Sequence, residues 1–273
     1  MPLFKSYLSF ILFILLSLVQ ILQSQNIQSK KRVANDSIYI SFINPYAIDI
    51  EINVTALDST KSYCKAKGYH LLKSKDTLVN AFIIPLEKCA DSLTVYPKKY
   101  IDFKATLGNP KNQPDSSLYL LPFQKGKRYK IVQSFGGQFS HNLVSSKYAI
   151  DFGTAIGDTI TAARDGEVFF IKKDSKEHCR TRKCMNKANK ILVLHEDGTY
   201  ANYVHLDFEG ALVKVGDTVK AGQAIGISGM TGFTTTPHLH FVVHKARGES
   251  ILIYFKGVRH QILKKNKWYK RKI

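Results

Sequence analysis

The sequence predicts an all-β protein: a small amino-terminal β-sandwich-like domain, then a carboxy-terminal antiparallel β-sheet domain built on a duplicated motif. Three observations predict it. Apolar residues alternate with polar ones in short runs of strand length instead of recurring at helical spacing. Turn residues punctuate those runs, and Asp197-Gly198 between two apolar stretches is the plainest two-residue hairpin signal. Finally, Ile156-Gly157-Asp158-Thr159-Ile160, followed by Ala162, returns as Val215-Gly216-Asp217-Thr218-Val219, followed by Ala221.

Taken in order, residues 1–24 read as a secretory signal peptide. Lys5 lies in a short basic start, residues 8–22 are almost wholly apolar, and Ser24 offers a small residue for cleavage, so the mature chain would begin near Gln25. An uncleaved anchor is the competing reading, which the shortness of the run disfavours. Residues 36–107 form a β-rich accessory domain, with strands expected at 37–43, 48–56, 78–85, 93–96 and 100–107. Residues 108–117, polar and carrying Pro110 and Pro114, read as a linker. A second β domain follows over 118–254, and 255–273 is a basic tail.

Within the second domain each Gly-Asp-Thr makes a tight turn into a strand. The glycine supplies the unusual backbone angle and the aspartate caps the turn. A biotinyl or lipoyl carrier domain has a similar rhythm, but it needs a modifiable lysine at a hairpin tip, and none stands in the right place. Regular pairing about Asp197-Gly198 puts Ala201, Tyr203 and His205 on one face. His195 then falls on the other face with Tyr200, Asn202 and Val204, so the two histidines share no site unless a bulge intervenes.

Charge and cysteines bound the setting. Lys plus Arg number 40 against 21 for Asp plus Glu, a formal charge of +19 that points to a polyanionic partner. Wall polymers, anionic lipid and nucleic acid all qualify on charge. Export, and the lack of aromatics arrayed on a basic sheet, argue against nucleic acid. Cys64, Cys89, Cys179 and Cys184 are an even set in a chain that reads as exported, which suggests two disulfides. Proximity favours Cys64 with Cys89 and Cys179 with Cys184, the second stapling a basic loop at 172–190.

The residues that carry chemistry lie in four segments: Ser140-His141, Asp151 in Tyr148-Ala149-Ile150-Asp151-Phe152, His205 in Tyr203-Val204-His205-Leu206, and His238-Leu239-His240. In a strand, positions i and i+2 share a face, so His238 and His240 stand side by side. A hydrolytic zinc site draws three ligands from histidine and carboxylate and leaves one position open. The chain has no H-E-x-x-H glutamate to move protons, so spare histidines would take that role.

The ordered series resembles the lysostaphin-type (LytM-like) zinc metallopeptidases, a peptidoglycan endopeptidase family, from about Tyr129 to Val243. Its marks are S-H, Y-A-I-D-F, G-D-T-I-x-A-A-R-D-G-E-V at 157–168, Y-V-H-L, G-D-T-V-K-A-G-Q-A-I-G at 216–226, G-x-T-G, and P-H-L-H-F. The resemblance implies Zn2+ held by His141, Asp151 and His240, with His205 and His238 as the catalytic pair. It implies an exported zinc metalloendopeptidase that cuts peptide bonds in peptidoglycan cross-bridges or stem peptides, in the periplasm, at the envelope or in the medium. The alternative is a silent relative that binds wall or activates another hydrolase. Many relatives place the first histidine and the aspartate in H-x-x-x-D. Here nine residues separate them, which a folded loop can accommodate.

Overall fold

The computed structural model describes residues 27–56, 68–85, 101–258 and 262–273. The signal-peptide segment, the strand expected at 93–96, Cys64, Cys89 and His260 lie outside them.

The amino-terminal region holds β1 (Gln28–Ala34), β2 (Ser37–Ile43), β3 (Ile50–Ala56), β4 (Gly68–Leu72), β5 (Thr77–Pro85) and β6 (Ile101–Leu107). They pair as two antiparallel sheets, β1-β2-β5 and β4-β3-β6. Alternation explains why these faces meet: Ile38, Ile40 and Phe42 of β2 and Ile50, Ile52 and Val54 of β3 are buried in one core. β1 was not foreseen, because Gln28 to Arg32 is polar and reads as loop. It is an edge strand joined to β2 through Asn35-Asp36, both with positive φ (47° and 51°), as a tight hairpin of the primed type demands.

The rest comprises β7 (Arg128–Gln133), β8 (Ile150–Phe152), β9 (Thr159–Thr161), β10 (Gly166–Lys172), β11 (His178–Cys179), β12 (Asn189–Leu194), β13 (Tyr200–Ala211), β14 (Thr218–Val219), β15 (Ala224–Ser228), β16 (Gly232–Phe233), β17 (Leu239–His244) and β18 (Trp268–Lys270). The main sheet runs β14-β10-β12-β13-β17-β8-β7-β18, with β15 also on β13 and β9 on β15. The basic carboxy-terminal stretch therefore supplies the edge strand β18, and Arg271 is buried with bonds to the Phe123 carbonyl and Thr161 Oγ1.

The two Gly-Asp-Thr copies are the same turn. Gly157 and Gly216 have φ of 92° and 94°. Asp158 accepts from the Ala155 N–H at 2.7 Å, and Asp217 from the Lys214 N–H at 2.8 Å. Their strands exchange partners: β9, after the first copy, pairs with β15, and β14, after the second, pairs with β10.

One face of the main sheet is dry. Ile150, Phe152, Ile191, Val193, Ala201, Tyr203, Leu239, Phe241 and Val243 pack there against Ile160, Ile225, Phe123 and Phe255. The opposite face is divided. At one end Phe169, Leu192 and Tyr200 join the core of the amino-terminal sheets, and Arg247 binds Glu51 through two bonds of 2.8 and 2.9 Å. At the other end the face is a groove.

The hairpin between β12 and β13 corrects the expected register. Its loop has three residues: the His195 N–H bonds the Thr199 carbonyl at 2.8 Å, Gly198 has φ 80°, and Leu194 sits opposite Tyr200. A type I turn closed by a left-handed glycine uses the same Asp-Gly letters as a two-residue turn. His195 thereby moves to the parity of Ala201 and Tyr203 and packs against Tyr119 at 5.6 Å.

Candidate metal centre and catalytic groove

Strand alternation places two of the polar groups. Ile150 and Phe152 go into the core and leave Asp151 on the open face, and Leu239 and Phe241 do the same for His240. The register then sets His240 opposite Asp151. His141 comes from the long excursion between β7 and β8, which closes as a loop through the Gly136 N–H to the Lys147 carbonyl (2.8 Å) and Ser146 Oγ to the Ser140 carbonyl (2.7 Å).

The three groups converge. Asp151 Oδ1 lies 2.9 Å from His240 Nδ1 and 3.2 Å from His141 Nε2, and the two nitrogens are 3.3 Å apart. His141 Nδ1 lies 2.9 Å from the Ser134 carbonyl, to which it donates, so its Nε2 presents a lone pair to a carboxylate. Two electron-rich atoms facing each other in a buried site are the donor set of a cation, and all three ligand atoms fall within 4.8 Å of one another.

His205 reaches this face against the sequence expectation. It is the extra residue of a β-bulge: Val204 pairs with Lys190, and Leu206 with Asn189. With φ 67° it leaves the parity of Ala201 and Tyr203 and turns toward the groove, where its ring centroid is 4.6 Å from that of His238. A left-handed histidine costs on the order of 1 kcal/mol. The G-M-T-G segment holds it there. The Gly229 N–H bonds the His205 carbonyl at 3.0 Å, and the Thr231 carbonyl accepts from His205 Nδ1 at 2.6 Å. A Cβ on Gly229 would stand 2.5 Å from Asp207 Cα, so only glycine fits. His238 is tethered likewise, its Nδ1 donating to the Thr236 carbonyl at 2.8 Å, with Nε2 3.8 Å from Asp151 Oδ1. Burial pulls His205 down to about 3, so its ring is neutral and Nε2 is a bare acceptor.

The loop stapled by the Cys179–Cys184 disulfide has a larger part than loop stability. Its strand β11 pairs in parallel with β16, between Thr231 and the tethers of His238. Gly232 (φ 85°) packs so closely on Ala188 that a Cβ would lie 2.7 Å from its Cα.

The groove measures about 450 Å³, and Thr234, Thr235 and Thr236 line it. Several lining residues escaped the sequence: Gln133, whose Nε2 bonds Ser140 Oγ at 2.7 Å beside Asp151, Lys190, Asn202 and His244. A strand lysine reads as solvent-facing, and no pattern marks the others. His244 is buried in the groove wall. It donates from Nε2 to the Ser145 carbonyl (2.8 Å), and burial lowers it to about 4. Its Nδ1 and Asn202 Oδ1 have no partner among the described residues.

Residues 145–251 match the model of Peptidase family M23. The glycyl-glycine endopeptidase ALE-1 of Staphylococcus capitis is 38% identical over 34% of this chain and 23% of its own length. The peptidoglycan DD-endopeptidase ShyB of Vibrio cholerae is 38% identical over 45% of this chain and 26% of its own. The chain thus spans about a quarter of the length of these relatives. Among solved structures, lysostaphin of Staphylococcus simulans is 31% identical over 45% of this chain and 46% of that one, with a TM-score of 0.34.

Proposed function

We propose that the protein, whose residues 145–251 match the model of Peptidase family M23, is an exported zinc endopeptidase that hydrolyses peptide bonds in bacterial peptidoglycan. The observation that carries the reading is the convergence of His141, Asp151 and His240 beside a second, separately tethered pair, His205 and His238. The apolar amino-terminal segment and the wall-directed names of the relatives support export and the substrate class.

His141, Asp151 and His240 would hold the ion. The chemistry zinc supplies in such a site is Lewis-acid polarisation of a carbonyl and acidification of water toward neutrality. The remaining work belongs to the chain. His205 and His238 both spend Nδ1 on backbone carbonyls, which fixes their tautomers and leaves Nε2 for the substrate. One of them accepts the proton of the attacking water. The other, when it carries a second proton on Nε2, donates to the developing oxyanion and the leaving amine. Gln133 steadies the far oxygen of Asp151 at 3.4 Å.

The test is mass spectrometry of new amino termini released from purified peptidoglycan by the mature protein, before and after metal stripping and zinc return. Zinc-dependent termini are expected and would identify the bond. No release from several wall types by zinc-loaded protein would overturn the reading in favour of a binding or activating role.

A further inference from the structure

The groove carries an unbalanced charge. Asp151 is the only acid among the described residues that line it, and it is committed to three histidines. Three cations line it as well: Lys190, Arg182 and Lys265. None of them forms an ion pair with a described residue. Arg182 and Lys265 are exposed at the rim, whereas Lys190 is half-buried on the floor.

The position of Lys190 follows from register. It sits opposite Val204, which sits opposite His240, which sits opposite Asp151, so all four share one row and one face. Two strand spacings put its Cα about 10 Å from that of His240. The groups facing it are the Phe170 ring, 5.5 Å from Nζ, and Lys172 across β10, whose own ammonium binds Asp174. Burial, with a smaller repulsion from Lys172, pulls the Lys190 ammonium below its ordinary value. A half-buried ammonium without a counter-charge is costly to keep, and an anionic group brought by a ligand would relieve that cost.

Resting on the endopeptidase reading above, we propose that Lys190 is a specificity-determining residue that binds a carboxylate of the substrate in the groove shared with His205, His238 and His240. The preferred substrates are then wall peptides with a free carboxylate close to the cut bond, and neutral oligoglycine bridges are poor ones.

The experiment compares two synthetic wall peptides that differ only in a free carboxylate or a carboxamide beside the scissile bond. Zinc-loaded wild type, Lys190→Met, Lys190→Arg and Lys265→Met are assayed for cleavage and, by calorimetry, for binding. A hydrogen bond to a charged group leads one to expect a preference for the acid of roughly 10-fold or more in kcat/KM. Lys190→Met should erase that preference through KM while leaving the amide unchanged, Lys190→Arg should keep most of it, and Lys265→Met should change it little. The proposal fails if wild type treats both peptides alike, if Lys190→Met retains the preference, or if it harms both peptides equally, as a packing role would. Cleavage of neither peptide counts against the endopeptidase reading, and the acid-to-amide ratio in binding still decides the role of Lys190.

Discussion

The outer face of the main sheet divides into two halves built from the same strands. On β12 and β13, Leu192 and Tyr200 lie under the amino-terminal sheets, while Lys190 and Val204, a few residues along, line the groove. On the covered half the residues are aromatic or aliphatic, and their partners come from a distant part of the chain. On the open half, polar side chains outnumber apolar ones, and Asn202 Oδ1 and His244 Nδ1 lack partners among the described residues. The secondary structure is identical, so what separates scaffold from site is whether another layer covers the pleat. Burying a polar group without a partner costs energy that an uncovered face need not spend.

Substitutions on the two halves should separate activity from stability. The largest effect is expected for Asp151→Ala, with zinc lost and hydrolysis reduced to background, read by metal analysis alongside turnover. Retained zinc would remove Asp151 from the ligand set. Next, His205→Ala and His238→Ala should keep zinc yet lose on the order of 10²- to 10⁴-fold in kcat. Equal zinc loss in both would dissolve the division between ligands and proton carriers. On the covered half, Leu192→Ala should cost about 2 to 5 kcal/mol in denaturant unfolding, with zinc per folded molecule unchanged. A loss of zinc at unchanged stability would show that the halves are not independent.

The smallest effect concerns His244, on the border, where its ring lies 5.0 Å from that of Tyr200. Burial lowers it to about 4, against about 6.5 in the unfolded chain. The unfolded state therefore takes up the proton first. This contribution to stability is full above about pH 6.5 and is lost as the pH falls through about 4, at up to about 1.4 kcal/mol per pH unit. His244→Gln should flatten the stability curve in that window. An unchanged slope would mean that the ring is charged or exposed in the folded protein.

What could be read from sequence depended on how local the determining interaction is. Asp151 and His240 were legible because two flanking apolar residues in a short strand decide which way the middle one points. The long spacing from His141 to Asp151 was legible only as a requirement for a loop, and the closing bond from Gly136 to Lys147 could not be named. The facing of His205 was not legible, since its bulge depends on Gly229 and Thr231, more than twenty residues away. The Asp197-Gly198 register slipped by one because two turn types share those letters. β1 escaped because a charged edge strand has no apolar alternation to show.

The exchange of strands between the two Gly-Asp-Thr copies has a consequence for how the chain is made. Neither copy can satisfy its own hydrogen bonds: β9 waits for β15, more than sixty residues later, and β10 for β14, some fifty residues later. As the chain leaves the ribosome or crosses a membrane, the first copy emerges with two unpaired edges. It cannot close until residue 228 has followed. A fragment ending before that point is expected to aggregate rather than fold, and two separately expressed fragments split between the copies should recover structure only when mixed.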